Sequence, residues 1–412
     1  MKTNKQIIEL IQQRKFDSAR YACIDRLTES RMDAQAWAFL GQAMVGLKRG
    51  DMARKCFERV ALLDPFATWI NQAWQDATNV SNGASDKQTL RLLELSNVSV
   101  SACILTRDSS RTIRQCMEAL IPAVDEIVVV DTGSKDDTVE IVESLGFHVH
   151  HFEWVDDFSA SRNYAQSLAT HGWLLAVDSD EILFPEDAPA VRKVAAVYNG
   201  SPVEAVRVAV HNTAAGQTHV TFMERLYKRD LLWSGRVHET LSVSGSVPAA
   251  PIRFKHDGYD ADAVDLESKR GRNIRILREV VQANPDDARA RFFLGRDLMT
   301  IKNYTEAREQ FEHLLKQYGN SMLPGARSQV ETKYTHLSIE TSQPDMAEMV
   351  ARGMTERTPE FPDGWGWLAL LESSQDYAIH YLSLLQQYRD GYLLDETILP
   401  RLRRAFPQLF TV

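Results

Sequence analysis

Over residues 1 to about 78, apolar positions recur at helical intervals with charged residues between them, which predicts helices throughout this stretch. Trp37, Leu40, Gly41, Ala53, Phe57 and Pro65 carry the pattern furthest. Gly41 and Ala53 let two helices approach closely, the large residues fill the seam, and Pro65 ends the second helix. Lys5 to Leu27 reads as an imperfect preceding unit. The same spacing returns as Leu294, Gly295, Ala307 and Phe311, after Asn284-Pro285. A looser unit has Ala347 and Pro359, and Trp365, Leu368, Ala369 and Ala378 suggest another.

Between the two arrays the period shortens. Ser81-Asn82-Gly83-Ala84-Ser85-Asp86 is a polar, turn-rich run. Strand-like segments then alternate with helical ones: Val98 to Thr106, a helix near Arg111 to Leu120, Glu126 to Asp131, a helix near Asp137 to Leu145, His148 to Phe152, a helix near Ser159 to Ala169, and Trp173 to Val177. That alternation predicts a parallel sheet with helices on both faces. After Asp180 the texture is strand-rich, with Ala205 to Val210, Val220 to Lys228 and Ile252 to His256, as in a sheet extended by an antiparallel portion. Ligands of such sheets collect at the carboxyl ends of the strands.

Composition narrows the partners. The chain has 412 residues and a net charge of −9, enough length for two or three domains and no broad basic footprint for nucleic acid. Cys23, Cys56, Cys103 and Cys116 sit in apolar settings without a Cys-x-x-Cys pair, as buried small hydrophobes in a reducing compartment. No run approaches the ~18 apolar residues of a membrane helix, and the first residues lack a signal-peptide block. A soluble, cytoplasmic chain without membrane insertion is the expectation. Phosphate-loop, nucleophile-elbow and His-Glu-x-x-His patterns are absent from the sequence.

Two acidic motifs fall at strand ends. Asp178-Ser179-Asp180-Glu181 follows Trp173-Leu174-Leu175-Ala176-Val177, and alternate residues leave the backbone on one side, so its carboxylates suit a divalent cation carrying a diphosphate. A lone Asp-x-Asp is often only an acidic turn. Asp131-Thr132-Gly133-Ser134-Lys135-Asp136-Asp137-Thr138 follows Ile127-Val128-Val129-Val130; it reads equally as a strand-to-helix turn or as a strand-end carboxylate for a base or ribose.

The runs at 129–138, His151 to Asn163 (His-Phe-Glu-Trp-Val-Asp-Asp-Phe-Ser-Ala-Ser-Arg-Asn) and 175–181, with Arg225-Leu226-Tyr227 and Gly235-Arg236-Val237-His238-Glu239, resemble family 2 glycosyltransferases of the GT-A fold. The helical units resemble tetratricopeptide repeats. The combination is similar to a bacterial branch that joins the two, as in S-glycosyltransferases of glycosylated bacteriocins, and to lipopolysaccharide-core glucosyltransferases. The implied architecture is an α/β GT-A (Rossmann-like) catalytic domain flanked by all-α tetratricopeptide-like repeats. Its expected divisions are 1–80 helices, 81–96 linker, 97–262 catalytic domain and 263–412 helical repeats.

The resemblance implies a metal-dependent inverting transfer from a nucleoside-diphosphate sugar. Asp180 would hold Mn²⁺ or Mg²⁺; Asp178 would reach the ribose or a metal-bound water; His256, before Asp257-Gly258-Tyr259, would add a ligand or phosphate contact, against a reading as an ordinary half-exposed histidine. Thr106, Arg107, Asp108 and Asp131 would bind the donor, with a UDP-sugar the first choice. Asp108-Ser109 departs from the Asn-Glu common in relatives, which leaves the base open. Arg162 would face diphosphate or base, or cover the sheet edge, and Arg225 would steady the diphosphate or Glu239. Glu239 is the first choice of general base and His238 the second. A peptide or protein acceptor is expected first, a saccharide second and a nucleic-acid base third; a second copy of the chain is an admissible partner. The competing class is a non-catalytic repeat scaffold around a degenerate nucleotide-sugar domain.

Overall fold

The structure, a computed structural model, describes residues 2–214, 217–256, 266–387 and 394–410. Asp257-Gly258-Tyr259 and the 262/263 division lie outside the described residues. The chain forms two compact units. One comprises Met1–Val155, Ser159–Ser234 and Thr240–Ala263; the other comprises Asp156–Phe158, Gly235–Glu239 and Val264–Val412.

The first unit begins with helices α1 (Asn4–Gln12), α2 (Phe16–Glu29), α3 (Ala34–Gly46), α4 (Gly50–Leu63), α5 (Ile70–Thr78) and α6 (Lys87–Leu93). Gly41 of α3 is pressed on the Phe57 ring of α4, and a Cβ there would lie 2.4 Å from ring carbon Cε1. The small residue is what permits the crossing. The stretch expected as a linker over 81–96 contains α6, because Asp86 caps it through the Thr89 N–H at 2.9 Å and is itself held by Arg20 and Arg49. Leu92 of α6 joins the core of these helices. Leu62 of α4 enters the core under the sheet instead, and Phe66 meets Phe222 edge-on with centroids 5.2 Å apart.

The sheet uses β1 (Val100–Thr106), β2 (Glu126–Asp131), β3 (Val149–His151), β4 (Trp173–Asp178), β5 (Glu181–Leu183), β6 (Ala205–Ala214), β7 (Gln217–Lys228) and β10 (Ala249–His256), while β8 (Trp233–Ser234) and β9 (Thr240–Leu241) form a separate hairpin. Among the described residues the order is β3-β2-β1-β4-β7-β6-β10-β5. The first four strands run parallel, β7 is antiparallel to β4 and to β6, β10 runs parallel to β6, and β5 is antiparallel to β10. This is a mixed GT-A-like sheet.

Strand alternation assigns the two faces. Val100, Ala102 and Ile104 pack with α7 (Ile113–Leu120), Val142 of α8 (Thr138–Ser144) and α10 (Ala188–Tyr198); Cys103, Val128 and Val130 pack with Ala165 of α9 (Phe158–Leu168) and with Trp233. Burial on both sides explains why these strands read as continuous apolar runs. All four cysteines are buried free thiols.

Thr106 is opposite Asp131, and Leu105 is opposite Asp178, so three candidate strand ends share one edge beside β1 and β4, where the strand order reverses. Only Ser179 and Asp180 separate β4 from β5, yet β5 is the far edge of the sheet. A flat sheet would put those strands ~19 Å apart at ~4.8 Å per step, while three Cα steps reach at most ~11 Å. The sheet therefore curls, and the curl returns β10 to the end of β4.

The second unit holds α11 (Leu266–Ala283), α12 (Ala288–Thr300), α13 (Tyr304–Tyr318), α14 (Pro324–Glu340), α15 (Pro344–Arg357), α16 (Pro362–Leu371), α17 (Gln375–Gln387) and α18 (Ile398–Ala405). Gly295 repeats the Gly41 contact, with a Cβ there 2.7 Å from Phe311. Asp33 and Asp287 cap α3 and α12 through the N–H of Ala36 and Ala290, so the two pairs share their helix start as well as their seam. In the last pair the buried indole is Trp367, not Trp365, and the close approach is at Gly366 against Ile398 and Tyr381. No described helix is long and apolar enough to cross a membrane.

Candidate active site

Asp178 ends β4 with both oxygens engaged. Arg162 Nη2 lies 2.8 Å from Oδ1 and Arg225 Nη2 lies 2.6 Å from Oδ2. The same Arg225 nitrogen is 2.6 Å from Glu181 Oε1, and Glu181 Oε2 accepts the Asp178 N–H at 3.0 Å. Burial acts to raise the Asp178 pKa, but the two guanidinium charges hold its carboxyl far below the usual range. Glu181 goes the other way: burial, joined by the Asp178 charge, outweighs Arg225 and pushes it up. Arg225 and Glu181 are almost wholly buried, whereas the Asp178 side chain is 36% exposed.

Asp180 meets a different partner. Its Oδ2 lies 3.4 Å from His256 Nε2, a proximity set by the pairing of His256 with Glu181 in β10 and β5. Burial lowers the His256 pKa, and the hydrogen bond and charge of Asp180 more than reverse this, leaving it raised. His256 Nδ1 is 2.7 Å from Asn212 Oδ1 on β6. Among the described residues no group of three or more His, Cys, Asp or Glu side chains is gathered as a metal cage. Two adjacent donors, a carboxylate and an imidazole, still fit an ion that arrives with a diphosphate, since small hard cations use one or two protein carboxylates and complete their shell with phosphate and water.

The loops after β1 and β2 are laced together. Asp108, at φ +49°, accepts the Lys135 N–H on Oδ1 at 2.7 Å and donates its own N–H to Ser134 Oγ at 2.9 Å. Ser109 Oγ is 2.7 Å from Ser179 Oγ, which ties this loop to the middle of the Asp-Ser-Asp turn. Asp131 is buried and accepts the N–H groups of Gly133 at 3.0 Å and Ser134 at 3.1 Å. Thr106 Oγ1 is buried with no hydrogen-bond partner among the described residues. The Arg107 side chain is 46% exposed and lies beside Asp108.

Ser161-Arg162-Asn163 acquires a structural meaning residue by residue. Ser161 is fully buried, Arg162 reaches Asp178 and lies over the Trp233 ring at 5.0 Å, and Asn163 bonds the Trp233 backbone in both directions, at 3.0 and 2.9 Å. The Trp233 indole N–H donates to Tyr227 Oη at 3.0 Å.

Glu239 and His238 belong to the second unit. There His238, at φ +53°, places Nε2 2.9 Å from Asp297 Oδ2 and stacks on Phe293 with centroids 4.4 Å apart. Arg289 donates to the His238 carbonyl at 2.7 Å. Asp156, from the Trp-Val-Asp-Asp-Phe run, takes a two-pronged contact from Arg275 at 3.0 and 2.8 Å. Glu239 is half-buried. Arg225, Arg162 and Asp178 thus form one cluster with Glu181, and Asp180 a second with His256.

Glu181 and Asn212 are the residues that sequence reasoning leaves unassigned. Glu181 is visible as the fourth letter of the acidic motif, but nothing local says that its carboxylate turns inward. Asn212 lies two residues beyond the expected end of its strand.

Residues 101–231 match the model of Glycosyl transferase family 2. Over that segment the chain is similar to this family, and tetratricopeptide-like helices accompany it. It is 26% identical over 223 residues to the SPbeta prophage-derived glycosyltransferase SunS of Bacillus subtilis, covering 52% of this chain and 53% of that protein. It is 29% identical over 231 residues to a TPR repeat-containing protein of Synechococcus elongatus, covering 53% and 57%. The chain spans about half the length of these curated relatives. Among solved structures, Staphylococcus aureus TarS 1-349 is similar at 15% identity over 71% of this chain and 92% of that one, with a TM-score of 0.30. Glucosyl-3-phosphoglycerate synthase of Mycobacterium tuberculosis, solved with Mn²⁺ and UDP-glucose, is similar at 19% identity over 29% and 44%, with a TM-score of 0.24.

Proposed function

We propose that the chain is an inverting glycosyltransferase that moves a sugar from a nucleoside diphosphate, a UDP-sugar first, to a peptide or protein acceptor. The observation that carries this reading is the adjacency of Asp180 and His256, 3.4 Å apart, at the strand-end edge of a family 2 domain. In the reaction the acceptor atom forms a bond to the anomeric carbon as the bond to the diphosphate oxygen breaks; that oxygen keeps the electron pair and the acceptor loses its proton to a base. A divalent cation, when bound, offsets the charge growing on the departing diphosphate.

Asp180 and His256 are the residues assigned to hold Mn²⁺ or Mg²⁺. With both oxygens on arginines, Asp178 is assigned to fixing the turn that aims Asp180, and Arg162 and Arg225 to fixing Asp178. Thr106, Arg107, Asp108 and Asp131 are assigned to the donor nucleoside. Glu239 is assigned the acceptor's proton on its motif, with His238 as a packing residue held by Asp297 and Phe293. Helical repeats stack into surfaces suited to extended chains, which supports a peptide or protein acceptor over a saccharide. The scaffold reading rests on the altered Asp108-Ser109 pair; both residues make specific bonds to neighbouring loops, which speaks for an adapted site over a decayed one.

The test is hydrolysis of nucleotide sugars by the purified full chain. Slow release of sugar that requires Mn²⁺ or Mg²⁺ and disappears in Asp180→Ala is the expected result; no sugar nucleotide bound or hydrolysed with metal present would end the enzyme reading.

A further inference from the structure

Asn212 does more than fill the end of β6. It is buried, and its amide nitrogen points at three acceptors: the Val210 carbonyl at 3.2 Å, the His219 carbonyl at 3.4 Å and Thr221 Oγ1 at 2.9 Å. Carbonyl oxygens accept and never donate, so the end of the amide that faces them must be the NH₂. The orientation of this amide is therefore dictated by its surroundings. Its carbonyl oxygen is left pointing at His256 Nδ1, 2.7 Å away, and an oxygen without a hydrogen can only accept there. His256 must carry a proton on Nδ1. A cation that displaces the other ring proton then takes the lone pair of Nε2, the atom that faces Asp180.

We propose that Asn212 is a positioning residue: it holds a proton on His256 Nδ1 and so reserves Nε2, beside Asp180 Oδ2, as the nitrogen that would ligate the donor's cation together with that carboxylate. The inference rests on the cation reading above, but the Nδ1 proton itself does not. Register makes the device possible, since His256 is the ladder partner of Asn212 on one side and of Glu181 on the other. The ring is clamped between the strand that orients it and the turn that uses it. Loss of such an outer partner typically weakens metal binding by about 10- to 100-fold while leaving the ligands in place.

The experiment uses the full chain labelled with ¹⁵N-histidine, with the His256 signals assigned by their absence in His256→Gln. In metal-free protein the nitrogen shifts are expected to show Nδ1 carrying a proton. In Asn212→Ala they are expected to move toward the Nε2–H form, and Mn²⁺ affinity in the presence of UDP, read by electron paramagnetic resonance, is expected to fall about 10- to 100-fold. An Nε2–H tautomer in the wild-type protein overturns the proposal even if the alanine variant fails to fold. An unchanged proton position in folded Asn212→Ala also overturns it. If the wild type shows the Nδ1–H form but binds no Mn²⁺ with UDP, the cation reading falls and the hold of Asn212 on His256 stands.

Discussion

Arg225 reaches Asp178 with Nη2 2.6 Å from Oδ2, and the same nitrogen is 2.6 Å from Glu181 Oε1. One cation thus serves two carboxylates, with its own side chain only 3% exposed. Removing it strands Glu181, which has no access to water. Arg225→Met is expected to destabilise the protein by about 3–5 kcal/mol, the usual cost of breaking a buried pair from one side. Urea unfolding measures this directly; a loss under about 1 kcal/mol would mean that the carboxylates find another partner.

A second buried acid makes a pH-dependent claim. Burial, and then the charge of Asp395, push the Asp363 carboxyl up to about 7 from an ordinary 3.8. The folded value lies above the unfolded one, so the native state holds this proton more tightly. Its contribution to stability is full below about 3.8 and is lost as the pH rises through about 7. Asp363→Asn is expected to flatten that slope and to melt higher than wild type above neutrality. Melting curves across the acid-to-neutral range check it, and a wild-type curve parallel to that of the variant would refute the assignment.

Gly41 and Gly295 face Phe57 and Phe311 so closely that a methyl group has no room. Either Gly→Ala change is expected to cost about 1–3 kcal/mol through overpacking. Trimming the facing ring, as in Gly41→Ala with Phe57→Leu, is expected to return part of that loss. Additive costs in the double variant would show that the contact is not the cause.

The legible parts of the chain are those in which neighbours in sequence carry the signal. The Gly41 and Phe57 spacing announces a helix pair, and the unbroken apolar run Ile127-Val128-Val129-Val130 announces a strand covered on both faces. What stays hidden depends on the curl of the sheet. No local pattern says that β5 leaves β4 and closes on β10, and that closure is what sets His256 against Asp180 and Asn212 against His256. The inward turn of Glu181 has the same origin. Asp86 shows the converse difficulty: it reads as one more polar linker residue until Arg20 and Arg49 are seen converging on it to start α6.

Glu239 gives a prediction about chemistry rather than stability. Glu239→Gln removes a proton acceptor and little volume, so donor affinity is expected to be kept while transfer falls by about 100-fold or more. Calorimetry with a UDP-sugar and a transfer assay on the same protein separate the two; parallel loss of both would refute the role.

The most direct measurement is the melting temperature of the full chain with UDP, with and without Mn²⁺, in the wild type and in Asp180→Asn. A ligand that binds only the native state raises its stability by about 2.7 kcal/mol at 100 times Kd. The wild type is expected to gain a clear Mn²⁺-dependent upward shift that Asp180→Asn lacks. A wild type indifferent to Mn²⁺, or an Asp180→Asn variant that shifts equally, would contradict a cation held between Asp180 and His256.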